Sequence, residues 1–279
     1  MNEQVERDVM EYDVLIIGGG PSGLSSAIKV KQLASAEGKE VSVCVLEKGS
    51  EIGAHILSGN VFEPTALNEL IPDWKEKEAP LNSPATKDIV KFMISENSSI
   101  NIPFPSFLIP TFNNHGNYVM SLANFTRWLA TQAESLGVEI FPGFTAAEVI
   151  FEENVVKGVL TGEMGISKDG EKKPSYQPSM ELRGKYTVFA EGCRGHLGKQ
   201  LIKKFNLDEN RDPQHYGIGF KEIWDISPED HKEGTVMHTM GWPSNGTISG
   251  SYFYHGENNQ VYLGLSLIHI SEPTRQASI

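Results

Sequence analysis

Residues 12–23, reading Tyr12-Asp13-Val14-Leu15-Ile16-Ile17-Gly18-Gly19-Gly20-Pro21-Ser22-Gly23, constrain the fold more tightly than any other stretch of this chain. Val14 to Ile17 is an apolar run rich in β-branched residues, which suits a parallel strand buried on both faces. Gly18, Gly20 and Gly23 then fall at the spacing G-x-G-x-x-G. The first glycine allows a tight turn, the second lets backbone approach a pyrophosphate, and the third lets a helix pack close to the strand. A helix opening near Ser22 directs its free N–H groups and positive dipole end at such phosphates. The helical stretch Leu24 to Ala34 and a second apolar strand, Val41 to Leu46, complete a βαβ unit. Glu47 ends that strand, 24 residues after Gly23, where a carboxylate accepts a hydrogen bond from a ribose hydroxyl. A glycine turn alone is an ordinary feature of βαβ units; strand, helix, second strand and carboxylate together read as a dinucleotide site.

With 279 residues the chain can bury a large core, in roughly two domains. Its net charge of −12 argues against general nucleic-acid binding and offers no polybasic handle for anionic lipid. No apolar run reaches the ~18 residues of a transmembrane helix. Met1 to Glu11 carries Glu3, Glu6, Asp8 and Glu11 against Arg7 alone, too acidic for a transit peptide and too polar for a signal peptide. There are two cysteines. Cys44 falls within the second strand and reads as a core filler, and Cys193 sits in a glycine-rich turn. Two cysteines cannot hold a four-cysteine iron–sulfur cluster. The sequence has no H-x-x-H, C-x-x-C or H-E-x-x-H spacing, so no metal site is expected.

Beyond the βαβ unit, residues 54–115 carry Pro64, Pro72, Pro80, Pro84, Pro103, Pro105 and Pro110. They read as an irregular insertion that builds a site or surface, not core sheet. Leu122 to Leu136 has apolar residues at helical spacing (Leu122, Phe125, Leu129, Ala133), ends at Gly137, and leads into a short strand, Val138 to Phe141. Val149–Phe151 and Val155–Leu160 read as strands joined by a tight turn. Residues 162–180 are polar with a turn at Lys168-Asp169-Gly170. Tyr186 to Ala190 reads as another buried strand running into Glu191-Gly192. From Tyr216 to Leu265 the pattern is β-rich with glycine breaks, as expected of a second, mostly antiparallel sheet.

The junction Val188-Phe189-Ala190-Glu191-Gly192 resembles the strand end that lies near the cofactor in FAD proteins of the two-dinucleotide-binding type. Glycine there lets backbone come close. It lies too far beyond Glu47 for a compact NAD domain and fits an FAD-binding half interrupted by an insertion. Flavin redox chemistry belongs to the cofactor, so no catalytic acid or base is expected, and the eight histidines are scattered. Residues 97–126 contain no Asp, Glu, Lys or Arg. Within them, Ile100 to Phe112 is apolar and broken by prolines, which prevent a regular helix or central strand. Such a loop either folds onto the core or presents an apolar plateau to a membrane or partner.

Taken together, these residues resemble the electron transfer flavoprotein–ubiquinone oxidoreductase family. The resemblance is carried by Gly18 to Ser25, Cys44 to Lys48 with Ile52 to His55, Leu57-Ser58-Gly59, Pro72 to Lys75, Ala79 to Asn82, and Asn114 to Tyr118. It continues through Gln132 to Glu134, Leu136 to Glu139, Phe189 to Cys193, Tyr216 to Gly219 and Gly241-Trp242-Pro243. It implies a monotopic membrane flavoenzyme that passes electrons from reduced electron transfer flavoprotein to ubiquinone by way of FAD and a [4Fe–4S] cluster. The implied fold is α/β: an FAD-binding, Rossmann-like domain of the two-dinucleotide-binding type with an inserted, mostly antiparallel β-rich quinone and membrane domain. Residues 1–200 would form the first part of the FAD domain, with the membrane loop near 90–115, and residues 201–265 the quinone domain. Gly18, Gly20, Gly23 and Glu47 would hold the ADP half of FAD, with Pro21, Ser22 and Lys48 beside them, and Glu191 and Gly192 would lie near the cofactor. Ile102, Phe104, Phe107, Leu108 and Ile109 would face the membrane. Where the family has paired glycines near the quinone headgroup, this chain has Ser249 and Gly250.

Residues 266–279 do not resemble the family, which continues for about as many residues again and holds its cluster cysteines there. The resemblance therefore implies an N-terminal portion with a foreign tail, inactive toward quinone on its own. The acidic start and apolar loop imply a bacterial protein on the cytoplasmic face of the inner membrane. Two other readings stand beside this one: a soluble FAD monooxygenase or geranylgeranyl-reductase-like enzyme, and an FAD-binding fragment with no catalytic role.

Overall fold

The computed structural model describes residues 7–56, 59–103, 113–213, 217–243 and 249–267. In chain order the elements are β1 (Val9–Ile17), α1 (Pro21–Ala36), β2 (Val43–Glu47), β3 (Gly59–Phe62), α2 (Thr65–Leu70), β4 (Ser83–Pro84), β5 (Lys87–Ser95), β6 (Ser98–Asn101), β7 (Tyr118–Ser121) and α3 (Leu122–Ser135). There follow β8 (Glu139–Pro142), β9 (Ala146–Glu152), β10 (Val155–Thr161), β11 (Met164–Ile166), β12 (Lys172–Gln177), β13 (Glu181–Phe189), α4 (His196–Phe205), β14 (Ile218–Asp225), β15 (Thr235–Gly241), β16 (Ser249–His255) and β17 (Gln260–Leu267). They pack as two units, Met1–His55 with Thr126–Arg211, and Ile56–Phe125 with Asp212–Ile279. The proline-rich segment thus groups with the later β-rich region, not with the first 200 residues.

In the first unit a six-stranded sheet runs β8-β2-β1-β13-β10-β9. β1 lies parallel to β2 and β13, and β2 parallel to β8, while β10 runs antiparallel to β13 and β9. Leu15 and Ile16 are successive residues on opposite faces of β1, and both are fully buried. That is what an unbroken apolar run predicts for a central parallel strand. One face carries the cluster of Tyr12, Leu15, Ile17, Cys44, Leu46, Val159, Leu182 and Leu197. Cys44 is buried there, and burial together with the nearby Glu139 carboxylate pushes its thiol up to about 12, so it is an inert filler. β13 begins five residues earlier than Tyr186, and Tyr186 itself is 74% exposed. It stands on the face of β13 shared with Val14 and Ile16 of β1, so the expectation of a wholly buried strand fails at its middle. Residues 162–180, expected to be a polar turn region, form the hairpin β11–β12.

The second unit holds a six-stranded sheet, β14-β17-β16-β15-β5-β6, and a three-stranded one, β3-β7-β4. Every pairing in the larger sheet is antiparallel except β15 with β5. Its core joins Ala85, Val119, Val236, Tyr254 and Tyr262. Gly59 of β3 sits so close beneath the Tyr262 ring that a Cβ there would overlap it. The expectation that residues 54–115 form no core sheet is corrected by β5, a nine-residue strand within the large sheet. The reason is local: no proline falls between Pro84 and Pro103, so the alternating run around Ile89 to Ile94 keeps every ladder donor it needs.

Candidate functional site

The turn after β1 is built as the glycine spacing requires. Gly18 has φ +110°, a conformation open to glycine at little cost, and a Cβ there would overlap the Ala190 carbonyl at the end of β13. A Cβ on Gly23 would run into the Gly18 carbonyl and lie 3.2 Å from Ile16, so α1 packs on β1 at backbone contact distance. Gly20 differs from both: a Cβ there meets nothing within 4 Å. Packing within the protein does not require glycine at position 20; open space lies beside it.

That space fronts the start of α1. Gly20 is the N-cap, Pro21 occupies the first turn, no side chain caps the end, and no acidic residue stands in the first turn. A helix start without a cap leaves N–H donors and a positive dipole end for an anion. Gly23 is buried, Pro21 half-buried and Ser22 exposed.

Glu47 closes the other side. Its Oε2 accepts from the Gly19 N–H at 2.8 Å and its Oε1 from the Gly49 N–H at 2.7 Å. Each carboxylate oxygen has a second lone pair, so the group can still accept from a hydroxyl. Gly19 is a site residue that the fingerprint spacing passes over: a Cβ there would lie 2.5 Å from Ile52 Cδ1 and 3.0 Å from Glu47 Cβ. The run of three glycines was its only signal. Lys48 is exposed.

Glu191 does something the sequence did not reveal. Its carboxylate accepts from the Gly198 N–H at 2.8 Å and the Leu197 N–H at 3.2 Å, with His196 Nδ1 at 3.5 Å. It therefore caps α4, whose N-cap residue Gly195 supplies no side chain. Gly192, at φ +79°, is exposed with open space where a Cβ would stand. The structure thus brings Gly18, Gly19, Gly20, Gly23 and Glu47 together, and the Gly18 contact with Ala190 joins the β13 end to them.

In the second unit, Ser249 and Gly250 open β16, opposite Leu267 and Ser266 of β17, with Gly250 also opposite Met240 of β15. Next to them the Ser251 and Thr239 hydroxyls hydrogen-bond across the β15–β16 pair. A Cβ at Gly250 would rest 3.5 Å from the Thr239 carbonyl, an ordinary contact, so packing does not force glycine here. Ile102 is half-buried and its N–H donates to the Val90 carbonyl at 2.9 Å. Phe104, Phe107, Leu108 and Ile109 lie outside the described residues. In the large sheet, Met240, Phe92 and Ile100 stand directly opposite one another across β15, β5 and β6. They are 37%, 44% and 57% exposed, and Ile94 and Trp242 nearby are 53% and 39% exposed.

Among the described residues no group of His, Cys, Asp and Glu could hold a metal ion, and no helix is long and apolar enough to cross a membrane. Two imidazoles pack together instead: His231 and His255, ring centroids 5.2 Å apart. His255 Nδ1 accepts from the Lys232 N–H at 3.1 Å, and burial, with His231 and Lys232 close by, lowers its pKa.

Residues 16–71 match the NAD(P)-binding Rossmann-like domain, and residues 216–275 match the family described as ETF-QO, ubiquinone-binding. The latter match runs past residue 266, where the motif resemblance ends. The chain is 60% identical over 265 residues to the electron transfer flavoprotein-ubiquinone oxidoreductase of Pseudomonas aeruginosa, covering 94% of this chain and 48% of that protein. It is 48% identical to the human mitochondrial protein of the same name, covering 95% of this chain and 43% of the relative. Among solved structures, a geranylgeranyl bacteriochlorophyll reductase-like protein from Thermoplasma acidophilum aligns at TM-score 0.62 with 18% identity, over 92% of this chain and 57% of that one. A flavoprotein/dehydrogenase from Cytophaga hutchinsonii aligns at 0.58 with 16% identity, over 97% of this chain and 58% of its own; likeness at that level speaks to the fold alone. By these matches the chain is similar to the electron transfer flavoprotein-ubiquinone oxidoreductases, and it spans about half the length of the curated relatives it matches.

Proposed function

We propose that this chain forms the FAD-binding and quinone-binding part of an electron transfer flavoprotein–ubiquinone oxidoreductase. The observation that carries the reading is the open, glycine-lined, uncapped start of α1 facing Glu47, in a chain whose residues 216–275 match a ubiquinone-binding family. FAD, when bound, supplies the redox chemistry. The first-turn N–H groups of α1 hold its pyrophosphate, and Gly20 leaves the room that the phosphate fills. Glu47, fixed by the Gly19 and Gly49 amides, accepts the ribose hydroxyl, with Pro21, Ser22 and Lys48 at the rim. Glu191 holds α4 in place so that the Glu191-Gly192 backbone borders the cofactor. Ser249 and Gly250, both half-buried at the start of β16, flank the quinone headgroup.

Reduced electron transfer flavoprotein is the donor, and ubiquinone leaves as the quinol after gaining two electrons and two protons. The family's [4Fe–4S] cluster belongs to the part of the relatives that this chain does not span, since Cys44 and Cys193 are too few to ligate it. Contact with the membrane is monotopic. The row Met240, Phe92 and Ile100 supports it, because neighbouring exposed apolar side chains on one sheet face suit an acyl boundary. Ile102, Phe104, Phe107, Leu108 and Ile109 are the membrane-contact residues of this reading, on the cytoplasmic face of a bacterial inner membrane. Nucleic acid is no partner for a chain of charge −12.

A visible spectrum after FAD reconstitution tests the reading. A resolved flavin band near 450 nm (about the free-cofactor position) that survives desalting is expected. Loss of all flavin from a chain that still unfolds cooperatively would overturn it. NADPH oxidation by the flavin-loaded chain would point instead to a monooxygenase or reductase.

A further inference from the structure

The two edges of the second unit's large sheet are unlike. β6 is an edge by composition: four residues, three of them polar. β14 is eight residues long, pairs with β17 over its whole length without a register shift, and has every residue exposed. It contains no proline, and its far edge carries no paired strand among the described residues. Ile218, Phe220 and Trp224 project to one face and Ile223 to the other, at 49%, 62%, 55% and 43% exposure. Edge strands are normally short, charged, bulged or covered, whereas a strand with apolar residues on both faces suits the inside of a sheet.

We infer that β14 is a receiving strand: its open edge takes one further β-strand, supplied by polypeptide from the part of the relatives' length that this chain does not span. That part is available in kind, since the match covers 48% of the Pseudomonas protein. A second copy of this chain fits less well. Directly opposed residues of an antiparallel pair share a face, so the two-fold registers that use nearly the whole strand oppose Lys221 to Lys221 or Glu222 to Glu222. The incoming strand is therefore extended, apolar opposite Phe220, Ile223 and Trp224, acidic or neutral opposite Lys221, and basic or neutral opposite Glu222. The inference does not depend on the electron-transfer reading, and its test needs no cofactor.

The test is to co-express the tagged 279-residue chain with the part of the Pseudomonas aeruginosa relative outside the match, then follow amide exchange in β14 and Trp224 fluorescence. A copurifying complex is expected, with the outward-facing amides of β14 slowed about tenfold or more and Trp224 emission shifted to the blue. Ile223→Pro, which removes a ladder donor, should abolish copurification while far-UV dichroism of the chain stays unchanged. A complex that leaves β14 exchange unchanged, no complex between two folded partners, or concentration-dependent self-protection of β14 in the chain alone would each overturn the inference.

Discussion

At the scale of single residues, Gly20 and Gly23 do different jobs three positions apart, and substitution should separate them. Gly23→Ala forces a Cβ into the Gly18 carbonyl and is expected to cost about 1–3 kcal/mol, read from urea unfolding. Gly20→Ala meets only open space, so stability should fall by no more than about 1 kcal/mol. FAD retention on desalting should nevertheless drop about tenfold or more, because the methyl occupies the phosphate's room and disturbs charge-assisted hydrogen bonds. Equal stability losses in the two variants would contradict this division. Buried His255 makes a pH prediction. Its pKa in the folded protein is lowered from 6.5, so below pH 6.5 the unfolded state binds the proton more readily and stability declines as pH falls toward the folded value. His238, whose pKa burial also lowers, acts in the same direction. The urea midpoint at pH 5.5 should lie below that at pH 7.5, and the gap should narrow in His255→Gln.

Among the elements, α4 depends on a residue outside itself. Glu191 supplies the cap that Gly195 lacks, so Glu191→Ala should destabilise the chain by about 0.5–2 kcal/mol. Glu191→Gln keeps one acceptor and should lose less. Across β15, β5 and β6, the row Met240, Phe92 and Ile100 is the element-scale feature with a membrane consequence. Phe92→Asp should lower partition onto neutral lipid vesicles about tenfold or more, since burying such a side chain contributes about 1.5–3 kcal/mol. The row holds no basic residue, so partition should change little when anionic lipid or salt is added; a strong salt dependence would point to charge instead.

For the whole molecule, the βαβ unit was legible in the sequence because its signals are local. Four apolar residues make a buried strand, three glycines make a turn, and Glu47 ends the next strand; each needs only its neighbours along the chain. The antiparallel character of the second unit was legible for the same reason, in alternation broken by glycines. What escaped the sequence depends on residues far apart in the chain. The proline count of residues 54–115 hid β5, whose place in the large sheet depends on β15, well over a hundred positions later. Glu191 read as a residue beside the cofactor, and only folding turned its carboxylate back onto α4. Gly19 looked like the spare glycine of three until Ile52 and Glu47 closed on it. By itself, then, the sequence determined the glycine turn after the first strand, the antiparallel character of the region after residue 216 and the family resemblance, all of which rest on short-range pattern. The tertiary structure alone decided which side chains cap, crowd or lie open, because those depend on approaches between segments that no local periodicity encodes.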